Sequence, residues 1–212
     1  MFFKKRNPKS EPAAQLVKTS STITKSSKFE GNITTSDCVE INGEFIGNIN
    51  CEKEVLVKEF GQILGDIKAD KVINEGKIEG NITCHTFQSG KKSFTKDNIE
   101  AKDVTIEGVF DGVIKCEALH INESGDVKKV VQAKSIEISG KIDGDIACES
   151  LSTTMHANVK GKLFVNKLLN NGGTIDGFIG KYQEILKEKI ETPKESKNIK
   201  IVEEKKLFPK SA

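Results

Sequence analysis

Tryptophan is missing from this 212-residue chain; tyrosine occurs once, methionine twice, histidine three times and proline four times. The histidines, His85, His120 and His156, stand far apart, with no Ser/His/Asp or His/Glu grouping in view, which argues against acid–base catalysis and a resident metal. The chain has no GxxxxGK phosphate loop and no run of eighteen apolar residues, so no helix would span a bilayer. It also lacks a secretory apolar segment. The cysteines number five, an odd count without an evident pairing scheme, and a reducing cytoplasm is the expected setting. Lys and Arg total 33 against 31 Asp and Glu, a net charge of +2. That balance is uneven along the chain. Residues 1–28 hold seven Lys/Arg against one acid, or +6, and residues 181–212 hold nine Lys against six Glu, or +3. The stretch between them is therefore −7, with no basic stripe for nucleic acid.

What is abundant is a short Gly-apolar-Gly phrase. It reads Gly43-Glu-Phe45-Ile-Gly47-Asn-Ile49-Asn-Cys51, and again Gly61 to Ala69, Gly76 to Cys84 and Gly140 to Cys148. Looser copies lie at Phe29 to Ile33, Phe94 to Ala101, Gly108 to Cys116, Gly125 to Ala133, Ala157 to Val165 and Gly173 to Ile179. Taking the second glycine as a register mark gives Gly31, Gly47, Gly65, Gly80, Asp97, Gly112, Lys129, Gly144, Gly161 and Gly177. The steps are 16, 18, 15, 17, 15, 17, 15, 17 and 16 residues. That period is too short for helical-hairpin repeats or propeller blades. Within each phrase the apolar residues alternate, so the element is strand, broken where glycine bends the backbone.

A coil of about sixteen residues with three short strands closes into a triangle, and stacked coils form a parallel β-helix. The expected fold is all-β: one domain of about ten rungs over residues 29–180, about 45–50 Å long at the ordinary strand spacing. Residues 1–28 read as a disordered basic tail. Residues 181–212 read as a short amphipathic helix, with Tyr182, Ile185, Leu186 and Ile190 at helical spacing, followed by a charged tail. That helix is either a lid on the last rung or a partner-binding element. Around Gly90-Lys91-Lys92 and at Lys129 the phrase is blurred, and lateral bulges are expected there.

Cys51, Cys84, Cys116 and Cys148 share one repeat position, at spacings of 33, 32 and 32 residues. Two rungs apart, about 9–10 Å, they are too distant for disulfides and cannot gather around one metal. They read as core fillers, with Cys38 the odd one out. The period-two parity places His120 on the outer face.

Attention therefore falls on the ends of the rod. The first rung, near Phe29, Ile33, Val39 and Ile41, shows no capping element, and the last rungs carry Phe164, Leu168, Leu169, Ile175, Phe178 and Ile179. Uncovered rungs present unpaired strand edges to another copy. Twofold contacts at both ends would chain rods head to head and tail to tail without polarity, and nothing in that assembly needs a nucleotide. The candidate polymerisation residues are Phe178, Phe164, Ile179, Phe29, Ile33 and Ile41. A different candidate site lies at Met1-Phe2-Phe3-Lys4-Lys5-Arg6, where an apolar tip followed by three cations suits an anionic membrane surface, unless the two phenylalanines are there by chance.

The G-x-Φ-x-G-x-Φ-x-[AC] phrase at sixteen-residue spacing, the basic Met-Phe tip and the polar flanks resemble the bactofilins, a family of bacterial polymer-forming cytoskeletal proteins. The resemblance covers about residues 29–180 and the tip. It implies a right-handed parallel β-helix, filaments without polarity or nucleotide, attachment at the inner face of the cytoplasmic membrane through the tip, and a role in cell shape. It also implies a peptidoglycan hydrolase or synthase system as partner, no enzymatic activity and no cofactor. A phenylalanine near the C-terminal rungs supports polymerisation in that family, which points to Phe178 first and Phe164 second. The competing readings are a left-handed β-helix acyltransferase, disfavoured because its six-residue repeat does not hold here, a secreted β-helix adhesin or lyase, and an adaptor that does not polymerise.

Overall fold

The computed structural model describes residues 20–182. They form twenty-one strands, all of whose pairings are parallel. Each rung contributes three faces, here A, B and C. In rung 2 these are Cys38–Ile41, Glu44–Ile46 and Ile49–Cys51. Ten such rungs stack into a solenoid, and nine steps of about 4.8 Å make the ladder about 43 Å long.

The register marks read from the sequence hold through the stack. Asp97 pairs with Gly112, Gly112 with Lys129, Lys129 with Gly144, and Gly161 with Gly177. Inward side chains of like shape therefore stack in columns. Face C carries Ile33, Ile49, Ile67, Ile82, Ile99 and Ile114 in successive rungs, then Val131, Ile146, Leu163 and Ile179. Face B carries Phe29 on Phe45, and further along Phe110 and Val127. β-Branched residues suit this pleated, close-stacked surface, and the columns merge into one continuous core.

The corner between faces B and C explains the glycines. At Gly47 φ is +137°, and an added Cβ would lie 2.1 Å from the Gly31 carbonyl oxygen. Asp97 and Lys129 hold the same corner with φ of 86° and 83°. No lateral bulge interrupts the ladder at Asp97 or Lys129: the strands Phe94–Glu100 and Asp126–Ile138 run through those corners in register, and Gly90 to Ser93 form a four-residue turn closed by the Ser93 N–H on the Gly90 carbonyl at 3.0 Å. The left-handed backbone absorbs the bend that glycine absorbs elsewhere.

The blur near Gly90 has another cause, a polar insertion in the core. Asn74 is fully buried. Its Nδ2 donates to Thr95 Oγ1 at 2.9 Å and to the Phe94 carbonyl at 3.2 Å, and its Oδ1 accepts the Gly76 N–H at 2.9 Å. Nearby, Ser89 Oγ accepts the Glu107 N–H at 3.1 Å, and the Ser93 hydroxyl donates to the Gly90 carbonyl at 2.7 Å. With partners in place, these buried polar groups are tolerated.

The first strand, Ser20–Ile23, falls inside the stretch expected to be a tail. It pairs with Cys38–Ile41 and supplies face A of rung 1. The solenoid thus includes Ser20–Ile23, ahead of Phe29.

Rungs alternate in the turn from face A to face B. In rungs 1, 3, 5, 7 and 9 four residues separate the strands, and in rungs 2, 4, 6 and 8 only two. Every long turn closes with the same backbone bond: Ser27 to Thr24, Gly61 to Lys58, Ser93 to Gly90, Gly125 to Asn122 and Ala157 to Thr154, at 2.7–3.1 Å. These are β-turns. The four phased cysteines all sit in the short-turn rungs. The true unit is therefore a pair of rungs, about 32 residues long.

Candidate assembly ends of the rod

Each terminal rung is paired on one side only among the described residues. At the N-terminal end Ser20–Ile23, Lys28–Glu30 and Ile33–Thr35 each meet a strand of rung 2 and nothing beyond. At the C-terminal end Thr174–Gly180 meets only Asn158–Asn170. The core columns consequently stop at side chains with one neighbour instead of two.

At the N-terminal end Phe29 is 40% exposed and stacks on Phe45, with ring centroids 5.4 Å apart and planes 4° from parallel. Ile33 is partly buried against the core. Ile41 does not belong to this surface: it is fully buried, because Ile23 of the first strand lies over it in register. Its assignment as an end residue followed from reading Ser20–Ile23 as tail. Lys28 sits beside Phe29 and bonds Glu30 at 2.9 Å and Glu44 at 3.6 Å. The hydrogen bond to Glu30 and the charges of both carboxylates push the Lys28 ammonium pKa up.

At the C-terminal end Phe178 is 58% and Ile179 49% exposed. Their directions differ. Ile179 ends the inward Ile column of face C, whereas Phe164 and Phe178 point outward from the same face. Their rings tilt at 58° with centroids 6.0 Å apart, a favourable edge-to-face geometry. Both rings lie over Gly180, where an added Cβ would be 2.9 Å from Phe178 and 3.2 Å from Phe164. Leu169 adds another exposed apolar side chain on face A, and Ile175 ends the face B column.

The sides of the rod are chemically quiet. On face B, Glu79, Lys96, Asp111, Lys128, Asp143, Lys160 and Asp176 alternate in sign from rung to rung. Opposite charges directly across a ladder are favourable. Lys77 bonds Glu79 at 2.6 Å and holds its carboxyl below the usual range, and Lys129 does the same to Asp111 from 2.7 Å. His120 faces outward, as the parity requires, and meets Glu137 at 3.2 Å; His85 meets Asp70 at 2.8 Å. No group of three metal-ligating side chains forms among the described residues. Cys51 and Cys148 are buried, and Cys84 and Cys116 are half-buried. Burial pushes the thiols of Cys84, Cys116 and Cys148 up to about 12, which suits fillers and not nucleophiles. The Met1 to Arg6 tip and the helix expected after Lys181 lie outside the described residues.

Sequence reasoning missed the first strand and the two-rung unit. The second had a signal: the steps between register marks alternate between 15 and 17 residues over most of the chain.

Searches of curated proteins and of solved structures gave no match. The family model described as Bactofilin, polymer-forming cytoskeletal, matches twice, over residues 21–106 and 90–179. The first match starts within the strand Ser20–Ile23 and the second ends in the last strand, so together they span the solenoid, and the chain belongs to the bactofilin family.

Proposed function

We propose that this chain is a non-enzymatic filament subunit whose rods join head to head and tail to tail, without nucleotide. The observation that carries this reading is the pair of terminal rungs, each with strand edges left unpaired and column ends left exposed among the described residues. Burying the exposed part of Phe178, 58% of an aromatic side chain of about 200 Å², contributes about 3 kcal/mol. A twofold contact counts that twice, and Ile179 adds to it. The membership in a polymer-forming family supports self-association. Attachment of Met1, Phe2, Phe3, Lys4, Lys5 and Arg6 to the inner face of the cytoplasmic membrane completes the proposal. Weak single tips would then act together by avidity along a filament. The scaffold so formed would organise a peptidoglycan hydrolase or synthase system and thereby cell shape.

Negative-stain electron microscopy of the purified chain without nucleotide, beside Phe178→Arg, tests the assembly. Filaments that vanish in the variant support a C-terminal contact through Phe178. Filaments that persist move the contact to Phe164 or to the Phe29 end. Monomeric rods in both samples refute polymerisation by this chain alone and leave the adaptor reading. Co-sedimentation with anionic vesicles, lost on Phe2→Ser/Phe3→Ser, tests the membrane tip.

A further inference from the structure

The last turn from face A to face B, in rung 10, is of neither kind seen in the other rungs. Three residues, Asn171, Gly172 and Gly173, separate Asn158–Asn170 from Thr174–Gly180. They include one of the two Asn-Gly steps in the chain; the other is Asn42-Gly43, in the short turn of rung 2. Asparagine before glycine is self-reactive, because a residue without Cβ leaves its backbone nitrogen open to the preceding side-chain amide.

The two steps differ in cover and in room. Asn42-Gly43 is held between rungs: the Asn42 N–H donates to the Ile23 carbonyl at 2.7 Å, and the Gly43 carbonyl accepts the Gln62 N–H at 2.9 Å. Asn42 Oδ1 is buried. An added Cβ at Gly43 would lie 2.4 Å and 2.5 Å from the Ser27 and Thr24 carbonyl oxygens, so this turn cannot readjust without moving the ladder. Asn171 and Gly172 are both exposed. Among the described residues Asn171 has a rung on one side only, through its N–H on the Thr153 carbonyl at 3.0 Å. At Gly172 φ is +95°, and the atoms nearest an added Cβ belong to Met155, 3.5–3.6 Å away. The amide of the preceding Asn170 is engaged, accepting the Thr153 hydroxyl at 2.8 Å and donating to the Gly173 carbonyl at 3.1 Å. The Asn171 amide has no hydrogen-bond partner among the described residues.

We propose that Asn171 is a self-modification site, at which the last rung converts its own side-chain amide to an acid. The Gly172 backbone nitrogen attacks Cγ of Asn171. The bond from Cγ to the side-chain nitrogen breaks, and that nitrogen leaves as ammonia with the Gly172 proton. Water then opens the resulting cyclic imide at either carbonyl, giving aspartate or an isoaspartyl linkage. Water enters, ammonia leaves, and nothing is oxidised or reduced. Either product places a new carboxylate at the C-terminal end of the rod. The isoaspartyl product also lengthens the backbone by a methylene in the turn that leads into Thr174–Gly180, the strand that carries Phe178 and Ile179. On the filament reading above, a twofold tail-to-tail contact meets that charge once from each copy, so the reaction ages the end at which copies join. The reaction itself does not rest on that reading.

The test incubates the purified full chain at low protein concentration and neutral pH, beside the same chain in guanidinium. Peptide mass spectrometry follows the amide-to-acid mass change at Asn171 and at Asn42 in both samples. In the folded chain Asn171 is expected to convert at least about tenfold faster than Asn42, whose step waits on local opening of packed rungs. In guanidinium the two are expected to convert at similar rates, since each precedes a glycine. Equal rates in the folded chain would overturn the proposal, and so would an Asn171 that stays intact while the denatured chain converts. This readout needs no filament, so its failure is separate from failure of the filament reading. Asn171→Asp carries the product charge from the start and is expected to raise the protein concentration at which filaments appear in electron micrographs. An unchanged concentration would overturn the assembly consequence.

Discussion

Gly112→Ala and Gly90→Ala are the same chemical change in adjoining rungs, and they should differ by about 4–5 kcal/mol in stability. A Cβ at Gly112 would lie 1.7 Å from the Asp97 carbonyl oxygen and 2.7 Å from its carbon. Both are ladder backbone, not the end of a flexible side chain. Relief requires a shift of more than an ångström in a stack whose rungs are about 4.8 Å apart. The strand Val109–Lys115 pairs at seven positions with Phe94–Glu100, so the disturbance falls on a long stretch of ladder. Overpacking usually costs about 1–3 kcal/mol; against unyielding ladder backbone it exceeds that range and reaches about 4 kcal/mol. At Gly90 the nearest atoms to an added Cβ are 3.6–3.7 Å away and φ is not left-handed. Alanine there narrows the unfolded ensemble and stabilises by about 0.4–1 kcal/mol. The assay is guanidinium unfolding followed by far-UV circular dichroism, because a chain with one tyrosine and no tryptophan gives little fluorescence signal. Solenoids couple only neighbouring repeats, so Gly112→Ala should also split the transition near the middle of the rod. If the two variants unfold within about 0.5 kcal/mol of each other, close axial packing at the corner is not what the glycines serve.

Lys129→Gly removes a residue with φ of 83° and should stabilise the rod by about 1 kcal/mol, seen as a higher denaturation midpoint. It also removes the partner of Asp111. With Lys129 present the folded Asp111 pKa is lowered, so the pair's contribution is present above the ordinary Asp range and is lost as pH falls through the lowered value. Lys129→Gly should flatten that acid limb, and an unchanged acid limb would show that the pair contributes nothing. The three thiols pushed up to about 12 act in the opposite sense. Their folded values lie above the ordinary 9.0, so stability is intact below about pH 9 and falls as pH rises toward 12. Burial pushes the Cys51 thiol up as well, so replacing Cys84, Cys116 and Cys148 with alanine should shrink that alkaline decline in thermal melts, and an undiminished decline would place its source elsewhere.

The inward columns were legible because like residues recur at fixed spacing and strand parity fixes their side. Ile49, Ile67 and Ile82 need no coordinates to be placed in one column. The first strand was not legible, since Ser20-Ser21-Thr22-Ile23 has one apolar residue and sits in a Ser/Thr-rich stretch. Its pairing is set by the exposed edge of Cys38–Ile41, which is a tertiary fact. That single omission made Ile41 look like an end residue. Asp97 and Lys129 misled for a related reason: the sequence shows a missing glycine but not that the backbone keeps its left-handed turn. At the C-terminal end Phe178 and Ile179 were found together, yet only the ladder shows that one points sideways and the other ends a core column.

The paired-rung unit has a consequence for how such a rod can change its length. The long-turn tips touch across the short-turn rung between them: Lys25 sits 3.4 Å from the centre of the Phe60 ring, and Lys92 reaches Glu59 at 3.1 Å. Deleting one coil would set two tips of the same kind side by side and throw the cysteines out of phase. Deleting two coils leaves every neighbour with the partner it had. A rod built this way keeps its tip contacts and its cysteine phase only when its length changes by whole pairs of coils, a step of about 9.6 Å.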